Sequence, residues 1–164
     1  MPSFSFDIVS EIDKAEVNNV FMAVEKEISS RFDFKNTPAA IEWLSSKEGF
    51  IIIGSNDWQV EAIIDIIRKK LASRNLTSKV LDLEKTSVVA NLKTTKSIPF
   101  IAGLDQEKSK QIVSLIRTEF PKLKPQIQGE IVRVSGSSKD ELQKCITKLR
   151  SVDFEFPVQF INFR

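Results

Sequence analysis

IIGSNDWQVEAIIDII (52–67) and VSGSSKDELQKCITKLR (134–150) read as one unit written twice: a strand, a Gly-Ser turn and a helix. Gly54 and Gly136 are 82 positions apart, and the same offset pairs Ile63 with Cys145, Ile64 with Ile146 and Ile67 with Leu149. Working outward from the first copy, Val17, Val20, Phe21, Val24 and Ile28 form one apolar stripe, which predicts a helix over 14–30. Asp13 and Glu16 supply its capping box. Strands are expected at 3–9, 39–45 and 50–53, a second helix at 57–73 and a strand near 79–83. The order is βαββαβ.

From Thr86 the order begins again. The pattern predicts a long strand to about Ser97, a break at Pro99, a helix over 106–119 stopped by Pro121, strands at 124–128 and 130–135, a helix over 139–150 and a last strand at 158–163. Two βαββαβ units, 1–84 and 85–164, make an α+β protein of two ferredoxin-like domains, each with two helices on one face of an antiparallel sheet. The other face is left without helical cover. In the second unit that face is expected to carry Ile131, Arg133 and Ser135 with Gln126 and Gln128 beside them, a polar surface with one cation. In the first unit Ile51 and Ile53 take the places of Arg133 and Ser135, so that face is expected to be greasy and suited to packing on another domain or a protein partner.

Composition narrows the chemistry. The 164 residues include no histidine and one cysteine, so no imidazole base, ordinary zinc site or thiolate cluster can be built. Neither a GxxxxGK[ST] loop nor a GxGxxG turn is present, and no carboxylates stand at a spacing that marks an acid/base pair. The reading is a binding protein, not an enzyme, and it calls for no cofactor. Cys145 falls in an apolar helical stripe, the place of a small core residue. No apolar run approaches a membrane span, and MPSFSFDIVSE lacks a signal peptide's basic and apolar regions, which together predict a cytoplasmic protein. The net charge of +2 divides unevenly, −4 over residues 1–84 and +6 over 85–164, so the second half is the one biased toward anions.

Three groups could meet a nucleotide. In SRFDFK (30–35), Arg31, Asp33 and Lys35 alternate with Phe32 and Phe34; an extended segment would set the three charges in one row and the two rings on the other side. Arg offers a planar fork for phosphate or a guanine edge, Lys a point charge, and a carboxylate accepts from guanine N1 and N2. The alternative is an edge strand of alternating core and surface residues. The second group is Arg133, Ser135, Gln126 and Gln128, with Arg164 or Lys93 as neighbours, a surface through which split βαββαβ modules meet single-stranded RNA. It lacks stacking aromatics; those would have to come from Phe160, Phe163, Phe32 or Phe34. The third is the Gly-Ser turn before each final helix, GSND (54–57) and GSSK (136–139), where free N–H groups and Lys139 could hold an anion. Ser138 with Glu141 makes an ordinary capping box at the same place.

SFDIVSE (5–11), SRFDFK (30–35), QIQGEIVRVSG (126–136) and the closing QFINFR (159–164) together resemble the YajQ family of bacterial cytoplasmic proteins, in order and from end to end. The resemblance implies two ferredoxin-like domains that exchange their first strands, with 3–9 completing the second sheet and 86–97 the first. It further implies nucleotide binding, linked to GTP or ATP, to RNA, and in some members to cyclic di-GMP; for this chain the reading is a purine nucleotide or cyclic di-GMP whose binding matters by altering a regulatory protein partner. Two local departures stand out: a Ser-Phe pair before the SFD opening, and Asn36 where glycine is common after the RFDF-basic motif.

Overall fold

The computed structural model describes residues 3–164. Its elements are strand β1 (Phe4–Val9), helix α1 (Lys14–Ser30), strands β2 (Ala40–Trp43) and β3 (Gly49–Gly54), helix α2 (Asp57–Ser73), strands β4 (Val88–Ala90) and β5 (Lys93–Pro99), helix α3 (Gln106–Glu119), strands β6 (Lys124–Gln128) and β7 (Ile131–Gly136), helix α4 (Lys139–Ser151) and strand β8 (Gln159–Ile161). They form two antiparallel four-stranded sheets, β6-β7-β1-β8 and β2-β3-β5-β4. The chain divides into two compact units, Ile12–Ile101 and the residues up to Glu11 together with Ala102–Arg164.

Helix bounds match the sequence reading closely because side-chain caps fix them. Asp13, Asn56, Asp105 and Ser138 each accept a hydrogen bond from the backbone N–H three residues on. Asn56 and Ser138 stand at the same 82-residue offset as Gly54 and Gly136, so the repeat carries its cap as well as its apolar stripe. In the Ile12–Ile101 unit the core joins Val17, Val20, Val24 and Ile28 of α1 to Val60, Ile63, Ile64, Ile67 and Leu71 of α2, over Ile41, Phe50, Ile52 and Ile98 of the sheet. Phe21 stacks on Trp43 with ring centroids 4.5 Å apart at the rim of this core. In the other unit Phe6, Ile8, Val132 and Val134 bury beneath Ile112, Ile116, Leu142, Cys145 and Leu149. Burial pushes the Cys145 thiol up to about 12, with Glu141 adding to the shift, so it sits in the core as a neutral thiol.

Two strand expectations are corrected. Residues 79–83 do not form a strand; Ser78–Val80 is a turn of 3-10 helix capped by Thr77, and only Leu81 bridges to the sheet, opposite Phe100. Val80 and Leu81 are both buried, and two successive inward side chains are incompatible with the alternation of a strand. Nor is 86–97 one long strand: it folds into the β4–β5 hairpin around Asn91 and Leu92, and β5 runs on to Pro99. Both turn residues have positive φ, 53° and 62°, the requirement of the tight turn that matches strand twist. Asparagine adopts that region readily; leucine does not, so the sequence carries no Asn-Gly signal there.

β2 also ends early, at Trp43, because Ser46 and Lys47 take positive φ in a 3-10 turn before β3. On the face of the first sheet away from the helices Ile51 and Ile53 are half-buried; register sets Glu42 and Ser97 beside Ile51, and Ala40 and Thr95 beside Ile53 with Val88 beyond, an apolar patch interrupted by polar residues.

Leu92→Gly should raise stability by about 0.5–1 kcal/mol, because it removes a left-handed leucine from the tight turn and exceeds the entropy glycine adds to the unfolded chain. Urea unfolding of both proteins at one pH checks this.

Candidate nucleotide-binding site

The segment after α1 is not the extended row that its alternation suggests. Phe32–Phe34 is one turn of 3-10 helix, closed by Phe34 N–H donating to Arg31 C=O and Lys35 N–H to Phe32 C=O. A 3-10 turn repeats every three residues rather than two, so Arg31, Asp33 and Lys35 do not share a face. Phe34 points inward and is buried, while Phe32 points outward and is 87 % exposed. Arg31 lies over the Phe34 ring, its guanidinium carbon 4.6 Å from the centroid.

Arg31 and Asp33 form a two-pronged ion pair, Nε to Oδ1 at 2.9 Å and Nη2 to Oδ2 at 2.6 Å. Those hydrogen bonds hold the Asp33 carboxyl below its ordinary range and the Arg31 guanidinium above its own. Glu27 touches the same arginine at 3.8 Å and is itself held by Lys70 at 3.0 Å. Lys35 is exposed and has no ion-pair partner among the described residues. Asn36 follows with φ 61°, so asparagine takes up the left-handed conformation for which glycine is common at this place. Thr37 then turns the chain toward β2, its hydroxyl accepting from Gln59 Nε2 at 3.2 Å.

The second candidate group sits on the helix-free face of β6-β7-β1-β8. Register places Lys124, Ser135 and Ser5 in one row across the strands, Gln126, Arg133 and Asp7 in the next, and Gln128 and Ile131 in a third. Ile127 lies on the opposite, helix-facing side with Val132, as that arrangement requires. Sequence reasoning missed the partner of Arg133: Asp7, 1 % exposed, which takes Nε at 2.9 Å and Nη2 at 3.3 Å. Asn162, just past β8 at φ 57°, donates to Asp7 Oδ2 at 2.8 Å, the oxygen that Arg133 Nη2 also reaches. The Arg133 hydrogen bond, against the cost of burial, holds the Asp7 carboxyl below its ordinary range, and Asn162 adds to it. Alternation along β1 puts Asp7 on the same side as Ser5, but only the β1–β7 register pairs it with Arg133. Arg164 joins this face through paired backbone hydrogen bonds with Ser5, whereas Lys93 opens β5 in the other sheet.

The Gly-Ser turns are filled from within. In the first copy Gln59 Oε1 accepts from Ser55 N–H at 2.8 Å and from Ser55 Oγ at 3.1 Å. In the second, Ser138 Oγ accepts from Glu141 N–H, and Lys139 lies 5.2 Å from the Phe4 ring centroid. Of the four aromatic candidates, Phe34 is core, Phe160 packs edge-on against Phe6 at 6.0 Å, and Phe163 and Phe32 are exposed. The two exposed rings each adjoin candidate charges, Phe32 between Arg31 and Asp33 and Phe163 before Arg164.

A family model described as nucleotide-binding protein YajQ-like matches residues 4–164. This chain belongs to that family. Its relatives include a nucleotide-binding protein of Mycolicibacterium gilvum, 41 % identical with both chains covered completely. Others are a nucleotide-binding protein of Thermobifida fusca, 39 % identical over 98 % of this chain and 97 % of that one, and one of Streptomyces coelicolor, 40 % identical over the full length of both. Among the described residues no group of His, Cys, Asp and Glu is arranged to hold a metal ion, and no helix is long and apolar enough to cross a membrane.

In this YajQ-like chain the Asp7–Arg133 pair has a structural consequence that pH reveals. Asp7 titrates in the folded state below its unfolded value near 3.8, so its contribution is full above that pH and is lost as pH falls through the folded value. Asp7→Asn should cost about 2 kcal/mol at neutral pH, below the range for a fully buried pair because Arg133 keeps contact with water. Chemical unfolding at neutral pH and below pH ~4 checks both the loss and the flatter acid limb of the variant.

Proposed function

We propose that this chain binds a purine nucleotide without transforming it, that the nucleotide is cyclic di-GMP, and that the seat is the turn Arg31–Lys35. The observation that carries the proposal is Phe32. It is 87 % exposed, yet its backbone is fixed in a hydrogen-bonded turn anchored by buried Phe34. An outward ring on a fixed backbone offers a stacking platform, and stacking a base on it contributes roughly 1–3 kcal/mol. Asp33, beside the ring, accepts from the N1 and N2 hydrogens of guanine, the only common purine that offers two donors on that edge. Arg31 can turn its fork from Asp33 to a phosphate or to guanine O6 and N7. Lys35 supplies a second, uncommitted charge. Two cations match the two phosphodiesters of a cyclic dinucleotide better than the charge of a nucleoside triphosphate. The relatives named for nucleotide binding and the sequence resemblance support the same ligand class. With no catalytic constellation in the sequence, binding would act by changing what a partner protein meets, in the cytoplasm.

A second reading rests on the rows of Lys124, Gln126, Gln128, Arg133 and Ser135, which suit single-stranded RNA. The apolar residue among them is Ile131, so this face has no base platform and its binding would depend steeply on salt.

Isothermal titration of the nucleic-acid-free protein with cyclic di-GMP, with GTP as control, separates the two. Phe32→Ala and Lys35→Ala should each weaken cyclic di-GMP binding at least about tenfold with unchanged thermal stability, since both side chains are exposed. Wild-type affinity in the double variant would overturn the seat, and salt-sensitive RNA binding lost with Lys124→Ala and Gln126→Ala would put the second reading in its place.

A further inference from the structure

Two segments at one end of the Ile12–Ile101 unit carry matching groups. β2 begins with Ala40 opposite Ile53, and Thr94, near the start of β5, stands opposite Gly54 at the end of β3. The segment that leads from α1 into β2 and the segment that leads from β3 into α2 therefore lie at the same end of the sheet. A hydrogen bond joins them, Gln59 Nε2 donating to Thr37 Oγ1 at 3.2 Å. Three backbone bonds draw residues 31–37 into a compact turn beside that link: Phe34 N–H to Arg31 C=O, Lys35 N–H to Phe32 C=O and Thr37 N–H to Phe34 C=O.

Each segment offers one exposed ring with a carboxylate as its chain neighbour. In the first they are Phe32 and Asp33; in the second they are Trp58, 76 % exposed, and Asp57. Asp57 and Trp58 occupy the first turn of α2, whose backbone is fixed by Asn56 Oδ1 accepting from Gln59 N–H at 2.8 Å. Val60, Ile63, Ile64 and Ile67 take the core face of that helix and leave the indole to solvent. Ser87 Oγ donates to Asp57 Oδ1 at 2.6 Å, which orients the carboxylate and leaves Oδ2 to accept from a ligand. Single apolar residues scattered over a surface need no explanation, but here a ring and a carboxylate recur together at one end of one unit.

A guanine presents a flat face for stacking and two donors, N1–H and N2–H, on one edge. One ring with one carboxylate is therefore a seat for one guanine. Cyclic di-GMP has two such bases, equivalent about its own two-fold axis. The carboxylates also disfavour the alternative of an anionic lipid surface at this end, because each ring is flanked by one.

We propose that Asp57 and Trp58 form a second guanine seat of the site at Arg31–Lys35, a seat that presupposes the cyclic di-GMP reading above. One dinucleotide places a base on each ring and its phosphodiesters toward Arg31 and Lys35. Once the first base is seated the second is tethered, so the second seat acts at a high effective concentration and favours the dinucleotide over a mononucleotide.

Titration of the full chain with cyclic di-GMP, followed by calorimetry and by tryptophan emission, tests it. The expected result is a one-to-one complex whose formation quenches Trp58. Trp58→Ala should raise the dissociation constant about tenfold or more at an unchanged melting temperature, because residue 58 is exposed. Trp58→Phe should recover most of that loss and abolish the quench, since the remaining Trp43 is stacked on Phe21. Wild-type protein that binds no cyclic di-GMP overturns the second seat together with the first. Binding that falls with Phe32→Ala and Lys35→Ala, yet is unmoved by Trp58→Ala and leaves the emission unquenched, overturns the second seat alone.

Discussion

Two helices can cover one face of a four-stranded sheet and not both, and the alternation of side chains along each strand then decides what the other face carries. In β3 the inward residues are Phe50 and Ile52; in β7 they are Val132 and Val134. The residues between them have no choice of side. Ile51 and Ile53 in one copy and Arg133 and Ser135 in the other stand on the helix-free faces because their neighbours are committed to the cores. One duplicated frame thus presents two chemistries, and the difference is confined to positions the core does not use.

That constraint explains what was legible in the sequence. The helices were, almost to the residue, because apolar stripes of period 3.6 and capping side chains at Asp13, Asn56, Asp105 and Ser138 agree with one another. Of the strands held in the centre of a sheet, β1, β3 and β7 were legible from their alternation, whereas β5 was not separated from β4. The failures lie where local backbone choices overrode a period-two pattern. Asn91 and Leu92 turn through positive φ without a glycine to announce it, and Ser46 and Lys47 do the same after β2. Val80 and Leu81 both bury, which an alternating reading cannot foresee. In SRFDFK the alternation of charge and ring mimics a strand, yet the Arg31–Asp33 ion pair closes over two residues and suits a tight turn.

The candidate site was legible in its residue types and not in its geometry. Arg133 was placed on the correct face, but its buried partner Asp7 lies 126 residues away in sequence, and no local signal pairs them. The basic surplus of the second half also has a structural share: Lys108, Lys139 and Arg150 lie over the rings of Phe156, Phe4 and Phe160. A cation engaged with a ring contributes to packing as well as to the surface field. Lys35, by contrast, has neither an ion-pair nor a ring partner among the described residues, and the ring beside it is turned to water. Lys35 lies in the more acidic half of the chain, so total charge by itself would have passed it over.

Backbone amide chemical shifts recorded during a titration with cyclic di-GMP test this account most directly, because they report where the ligand sits as well as whether it binds. The account predicts saturable shifts concentrated at residues 30–37, with those of 124–136 nearly unmoved. Shifts concentrated on β6 and β7, or none at saturating ligand, would contradict it.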